Sequence, residues 1–370
     1  MKTGLIFIGI FVLGLFLLPL MALWYNGPEE AQVAVHSPAM APAPVQAPSV
    51  PPAVTPPVAT IPALRSHPPE QQPRFGEFSE HGVRFFRILD KSTGRVSEVP
   101  VRDFVRGAVV SEMPATFHTE ALKAQAVAAH TWALNQHMRQ QRSPDPALRG
   151  ADFSADPGKR EGYMTERQAM EFLGPNAQMH WEKITAASDS VLEFIMEYDG
   201  QPILAAYHAM SAGMTECSGN VWVAPRPYLQ PTHSEGCLLA PNFEVQTNLT
   251  QARVQNLLRA EHPGIELSGS PGEWFNVVSR SDSGYITEVQ AGSIMLHGRD
   301  IRTMFGLRSH NLDIRFDGQN FIFTASGHGH GVGLPQYGAD FKARQGYTFD
   351  EILDHYYSGI VIRRVNFDAL

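Results

Sequence analysis

Hydrophobic and polar positions divide the chain into three unlike stretches. From Gly4 to Tyr25 the sequence GLIFIGIFVLGLFLLPLMALWY carries no charge and is almost wholly apolar. Its length matches the roughly 20 residues that a helix needs to cross a bilayer. Lys2 precedes it and Glu29 and Glu30 follow, so the positive-inside tendency keeps the N-terminus cytoplasmic and exports the rest. No A-x-A site closes the segment, and Trp24 and Tyr25 suit an interfacial belt, which favours a retained anchor over a cleaved signal peptide. Residues 1–25 are therefore read as a transmembrane signal anchor. Across residues 26–74 the apolar period vanishes and Pro and Ala dominate, as in PAMAPAPVQAPSVPPAVTPPVATIPAL. Such a tract buries no core and favours extended polyproline geometry, so it is a spacer. From Phe75 to Leu370 the patterning is that of a folded domain.

Within that domain VRFFRILD alternates as a strand, and VRDFVRGAVVSEM places Val101, Phe104, Val105, Ala108 and Val109 at helical spacing. Pro114 disfavours helix at Met113, so this helix stops there. A second helix begins near Thr119, with Leu122, Gln125, Ala126, Ala129 and Ala133 along one face. Small residues on that face allow close packing. Glu112 is thereby expected in a short ordered connection between two packed helices. TERQAMEFLG reads as a helix opened by Thr165 and ended by Gly174, and VLEFIMEYDGQPILAAYHAM as two strands around Asp199-Gly200. TQARVQNLLRAEH and TFDEILDHYYSG are further helices. GYITEVQAGSIMLHGRDIRTMF and DIRFDGQNFIFTAS read as strands with tight turns. The order shows no βαβ rhythm and no internal repeat. It predicts α+β: one large exported domain of interleaved helices and mainly antiparallel strands with a substrate cleft.

Composition narrows the classes. A formal charge of −8 over 370 residues gives no basic surface, and aromatic-plus-Arg signatures are missing, so nucleic acid is excluded as a partner. Two cysteines make one disulfide or half a metal site, not a disulfide framework.

Three constellations carry chemistry. Glu112 is a lone acid between an apolar run and Pro114; its plain reading is an acid favoured near a helix start by the macrodipole. SGHGHGVGLPQYGA, Ser326 to Ala339, alternates Gly327, Gly329, Gly331 and Gly333 with His328, His330 and Val332. Repeated Gly permits positive φ and close approach of backbone to a ligand, and the imidazoles there would bond a sugar or tune an acid. The plain alternative is a tight connection whose histidines are satisfied locally. The third stretch, YHAMSAGMTECSGNVWVAPRPYLQPTHSEGC, holds His208, Cys217, His233 and Cys237. Two imidazoles and two thiols satisfy tetrahedral zinc, although the spacing is that of no standard finger. In an exported protein a Cys217–Cys237 disulfide accounts for the cysteines equally well.

SEMPATFHTEALKAQAVAAHTWAL, AYHAMSAGMTE with the following VW and PYL, and GHGHGVGLPQYGADFKARQGYTFDEILDHYYSGIVI occur in an order and spacing that resemble the stage II sporulation protein D family, the SpoIID/LytB domain. The resemblance spans roughly Phe78 to Arg364. It implies a membrane-anchored lytic transglycosylase that cuts the MurNAc–GlcNAc backbone of peptidoglycan, preferring glycan stripped of stem peptides by a partner amidase, as in engulfment during sporulation. It assigns catalysis to Glu112. It also implies a structural zinc, known in some members, which here would draw on His208, Cys217, His233 and Cys237; the chemistry itself would need no cofactor. The sequence departs from the family pattern at His130, where Arg is usual, at His328, where Trp is usual, and at Ala212, where a second Gly is usual.

One carboxylate suffices for that reaction, whereas ordinary glycosidases use two. Glu112, protonated, would donate to the glycosidic oxygen and then take the proton of the sugar's own C6 hydroxyl, leaving a 1,6-anhydro-MurNAc end. Its apolar flanks suit a raised pKa. His208, His330, Gln336 and Tyr337 are expected to bind glycan or orient the acid. The competing reading is a non-catalytic glycan-binding enhancer of a cell-wall amidase. A catalytic zinc hydrolase is disfavoured because a Cys₂His₂ set fills every coordination position.

Overall fold

The long apolar-patterned segments become helices in the computed structural model, which describes residues 78–367. The anchor expected over 1–25 and the linker over 26–74 lie outside the described residues. Helix α1 (Val101–Glu112) buries Val101, Phe104, Val105, Ala108 and Val109 and ends where Met113 turns extended ahead of Pro114. Helix α2 (Thr119–Arg142) is opened by His118, whose side chain accepts from the amide of Glu120, and its small residues bury it on nearly every side as far as Leu134. The helix predicted to open at Thr165 is α3 (Glu166–Leu173), begun by a capping box of Thr165 and Gln168 and closed at Gly174. Helix α4 (Ala177–Asp189) was not foreseen from the sequence, although its buried positions Ala177, Trp181, Ile184 and Ala187 keep helical spacing. Helices α1, α2 and α4 pack on one another.

Small sheets surround this helical centre. Strands β1 (Phe78–Ser79), β5 (Phe194–Tyr198), β6 (Gln201–Pro202) and β15 (Val361–Val365) form one, in the order β1-β15-β5-β6. Strands β2 (Phe85–Asp90), β3 (Val96–Pro100) and β4 (Phe153–Ala155) form a second, ordered β3-β2-β4. The Asp199-Gly200 hairpin is present, but its second arm is shorter than predicted. The chain then runs buried through Ile203–Ala206 to β7 (Tyr207–His208), which pairs with β14 (Leu334–Pro335).

A second hydrophobic centre lies between residues 244 and 326. Strand β8 (Glu244–Thr250), β12 (Leu312–Phe316) and β13 (Asn320–Ser326) make one antiparallel sheet, and β9 (Phe275–Arg280), β10 (Ile286–Ala291) and β11 (Ile294–His297) another. Val254, Leu258, Trp274, Ile286, Phe321 and Phe323 fill the space between them. The predicted helix over TQARVQNLLRAEH is α6 (Gln251–Glu261), preceded by the one-turn α5 (Ser218–Val221).

Two expectations need correction. GRDIRTMF, read as strand, is helix α7 (Gly298–Phe305), because Ile301 and Phe305 fall one turn apart and His297 with Asp300 forms a capping box. The pairing is mainly but not wholly antiparallel: β1 with β15, β2 with β4, and β14 with β7 run parallel. Each of these pairs is joined by a long crossover through helices, which is what parallel pairing demands. Helices α8 (Gln336–Arg344) and α9 (Phe349–Tyr356) follow β14 and lead into β15. The architecture is α+β, and among the described residues no helix is long and apolar enough to cross a membrane.

Candidate active site

Glu112 is the last residue of α1 and is only 4% exposed. It therefore stands at the C-terminal end of its helix, not at a helix start, where the macrodipole disfavours a carboxylate. The macrodipole reading of this acid is thus reversed. Burial pushes its carboxyl up to about 8, against the lowering effect of a hydrogen bond from Gln336. A carboxyl in that range is neutral at neutral pH and is available as a proton donor.

Gln336 opens α8, directly after β14, and the pairing of β14 with β7 fixes its position. Its Nε2 donates to Oε2 of Glu112 at 3.3 Å and to Oε1 of Gln125 at 3.4 Å. Gln125 projects from α2 and is fully buried. The buried phenol of Tyr207 completes the set: burial raises its pKa, with further influence from Glu112 and Gln125. The acid of α1 thus sits among neutral polar groups drawn from α2, β7 and α8. Sequence reasoning placed Gln125 on the inner face of α2 without a role and passed over Tyr207. The signal for Gln125 was its amide within an otherwise small, apolar face.

The glycine-rich loop lies against β7. Gly327, Gly329, Gly331 and Gly333 all take positive φ. A Cβ on Gly329 would stand 2.7 Å from Cβ of His208, and one on Gly333 would stand 2.1 Å from the carbonyl oxygen of Ala206. Only glycine permits this approach, and it brings the His208 and His330 rings to a centroid separation of 5.4 Å. Val332 sets both tautomers. Nδ1 of His208 faces the Val332 carbonyl at 3.1 Å and must donate, while the Val332 amide donates to Nδ1 of His330 at 3.1 Å. Burial lowers both imidazoles, His330 to about 3, so both are neutral. His208 then offers a bare Nε2 and His330 an Nε2–H. Nε2 of His208 is buried without a protein partner among the described residues, whereas Nε2–H of His330 is turned toward the backbone of Tyr207. Trp222 packs on His330 at 5.3 Å.

Tyr337 follows Gln336 and meets Phe117 edge-on at 5.0 Å. The connection between α1 and α2 is ordered, although Glu112, expected within it, belongs to the last turn of α1: the amide of His118 donates to Oδ1 of Asp340 at 2.6 Å, and Lys183 Nζ donates to the carbonyl of Ala115 at 2.9 Å. His130, in place of the usual Arg, is buried with its imidazole lowered to about 4 by desolvation.

The implied zinc does not fit. Among the described residues no three His, Cys, Asp or Glu side chains are disposed to hold a metal ion. His208 is buried with Nδ1 on the Val332 carbonyl, Cys237 is buried with its Sγ on Ser234 Oγ, and His233 is exposed. The disulfide alternative fails too, because Cys217 and Cys237 are both free.

The chain is similar to known proteins. The family model for stage II sporulation protein SpoIID matches residues 89–198. The stage II sporulation protein D of Bacillus subtilis strain 168 is 33% identical over 280 residues, covering 76% of this chain and 78% of that protein. The protein of the same name from Bacillus amyloliquefaciens is 30% identical over 275 residues, covering 74% and 77%. A more distant similarity, 22% over 317 residues, covers 70% of this chain and 40% of a Bacillus subtilis protein named amidase enhancer.

Proposed function

The chain belongs to the stage II sporulation protein D family, and we propose that it is a peptidoglycan lytic transglycosylase with Glu112 as its single acid–base group. The observation that carries this reading is the burial of Glu112 at the end of α1, which holds its carboxyl near 8 amid Gln336, Gln125 and Tyr207. A neutral carboxyl donates its proton to the glycosidic oxygen between MurNAc and GlcNAc. Once ionised it is paired by the Gln336 amide, which favours the charged form it has just become. It then accepts the C6 hydroxyl proton as that oxygen closes on C1. The same group serves in both steps, and proton transfer of this kind contributes about 10²–10⁴-fold.

His208 lies on β7 opposite Pro335, the residue before Gln336, with His330 of the glycine loop beside it, and Tyr337 follows Gln336 on α8. In this reading they hold the glycan: one imidazole offers an acceptor and the other a donor, the pair of functions that a sugar hydroxyl satisfies. The enzyme would be held at the outer face of a membrane by residues 1–25, would act on strands stripped of stem peptides, and would work beside a cell-wall amidase.

The test compares the full-length protein in detergent with its Glu112→Gln variant on peptide-free glycan strands, following cleavage and binding separately. The reading predicts binding by both and cleavage by the wild type alone. Similarity to the amidase enhancer supports a second reading, a glycan-binding protein that stimulates an amidase without cutting glycan. Binding without cleavage by the wild type would select it.

A further inference from the structure

Arg308 is a cation beside the site with no carboxylate to answer it. Its Nη1 donates to the carbonyl of Asn242 at 2.7 Å and its Nη2 to Nδ1 of His328 at 3.0 Å. Both acceptors are neutral, since burial and the neighbouring Arg308 lower the His328 imidazole to about 4. Among the described residues Arg308 takes part in no ion pair.

The backbone ties this cation to the catalytic network. His328 exchanges both backbone hydrogen bonds with Met210, at 3.0 and 2.8 Å, and the next residue, Gly329, donates to the carbonyl of Arg308 at 2.8 Å. Ala209, beside Met210, accepts from the amide of Tyr337 at 3.1 Å. Tyr337 in turn follows Gln336, the partner of Glu112. Arg308 and Tyr337 lie close enough that each shifts the other's proton affinity. Arg308, His328 and Tyr337 are all half-buried, so solvent and a ligand reach them.

We propose that Arg308, oriented by His328, is a specificity-determining residue that binds the free lactyl carboxylate of a muramic acid unit. The inference rests on the glycan-cleaving reading for the kind of ligand only. Of the two sugars in such a strand, N-acetylglucosamine has no ionisable group, whereas N-acetylmuramic acid carries a 3-O-lactyl carboxyl. In intact wall that carboxyl is amide-linked to the stem peptide and is neutral; once the peptide is removed it is an anion. A guanidinium distinguishes the two, because a carboxylate brings an opposite charge and two oxygens for bidentate pairing, whereas the amide carbonyl is one neutral acceptor. Using Nη2 to hold His328 fixes the plane of the fork, and the neutral His328, accepting at Nδ1, keeps a proton on Nε2 as a further donor.

The experiment measures binding, in the Glu112→Gln background of the full-length protein, to two glycans: peptide-free strands with free lactyl carboxylates, and the same strands with those carboxyls converted to methylamides. The free acid is expected to bind about 10–100-fold more tightly. Arg308→Gln should bring the free acid down to the affinity of the methylamide and leave methylamide binding unchanged, which also shows that the variant is folded. Arg308→Lys should recover only part of the preference. Equal binding of the two glycans, a preference that survives Arg308→Gln, or binding of neither glycan would overturn the proposal. A failure of the transglycosylase reading would show itself separately, as lack of cleavage by the wild type with the binding preference intact.

Discussion

At the residue scale the account turns on Glu112. Its carboxyl is raised from the ordinary 4.5 to about 8, so between those values the unfolded chain gives up its proton while the folded one keeps it. Stability is therefore lost as pH rises from about 4.5 to about 8 and is level beyond. Glu112→Gln removes that loss, and its melting temperature should exceed the wild type's by several degrees at pH 8 while the two coincide near pH 4, as read by thermal denaturation. Activity should be flat below about pH 8 and fall about tenfold per unit above it, because only the protonated acid starts the reaction. Gln125→Leu takes away the acceptor that positions Gln336; about a tenfold loss in kcat with little change in KM is expected in steady-state assays. Glu112 was legible in the sequence because a lone acid before Pro114 stands out against apolar neighbours. Its electrostatic sense was not, since that depends on which end of which helix it occupies. Gln125 could be placed on the inner face of α2 but not given work, because its partner Gln336 is 211 positions away.

At the element scale the glycine loop and β14 carry the site. A Cβ on Gly333 meets the Ala206 carbonyl at 2.1 Å, and the residue holds a φ of 73°. Gly333→Ala should therefore push β14 away from β7 and move Gln336 off Glu112. Urea unfolding should register a loss of about 1–3 kcal/mol, and activity should fall further than that loss alone explains. Helices with strong end signals were legible: Thr165 and Gly174 bound α3 as read, and Pro114 ends α1. α7 was misread because its apolar residues follow three short hydrophobic runs that look like strand, and the helical spacing of Ile301 and Phe305 was the better signal. The parallel pair of β7 and β14 could not be read at all. Each strand is two residues long, and the partners are joined only through the intervening fold.

At the scale of the whole molecule, the α+β class was legible from the alternation of helical and strand-like periods, and the family from motifs spread over most of the chain. The ligand set suggested for zinc was not, since four suitable side chains within thirty positions say nothing of whether their atoms converge. In the fold they do not. A chelator should accordingly leave the melting temperature unchanged, and a thiol reagent should modify the partly exposed Cys217 in the native protein but reach Cys237 only after unfolding. The central claim, that one carboxyl cuts the glycan by letting the sugar attack itself, is tested most directly by digesting peptide-free strands in water enriched in oxygen-18 and weighing the new ends. Attack by the C6 hydroxyl predicts anhydro ends that carry no label, with no cleavage by Glu112→Gln. One labelled oxygen in each new end would mean that water is the nucleophile and would contradict the account.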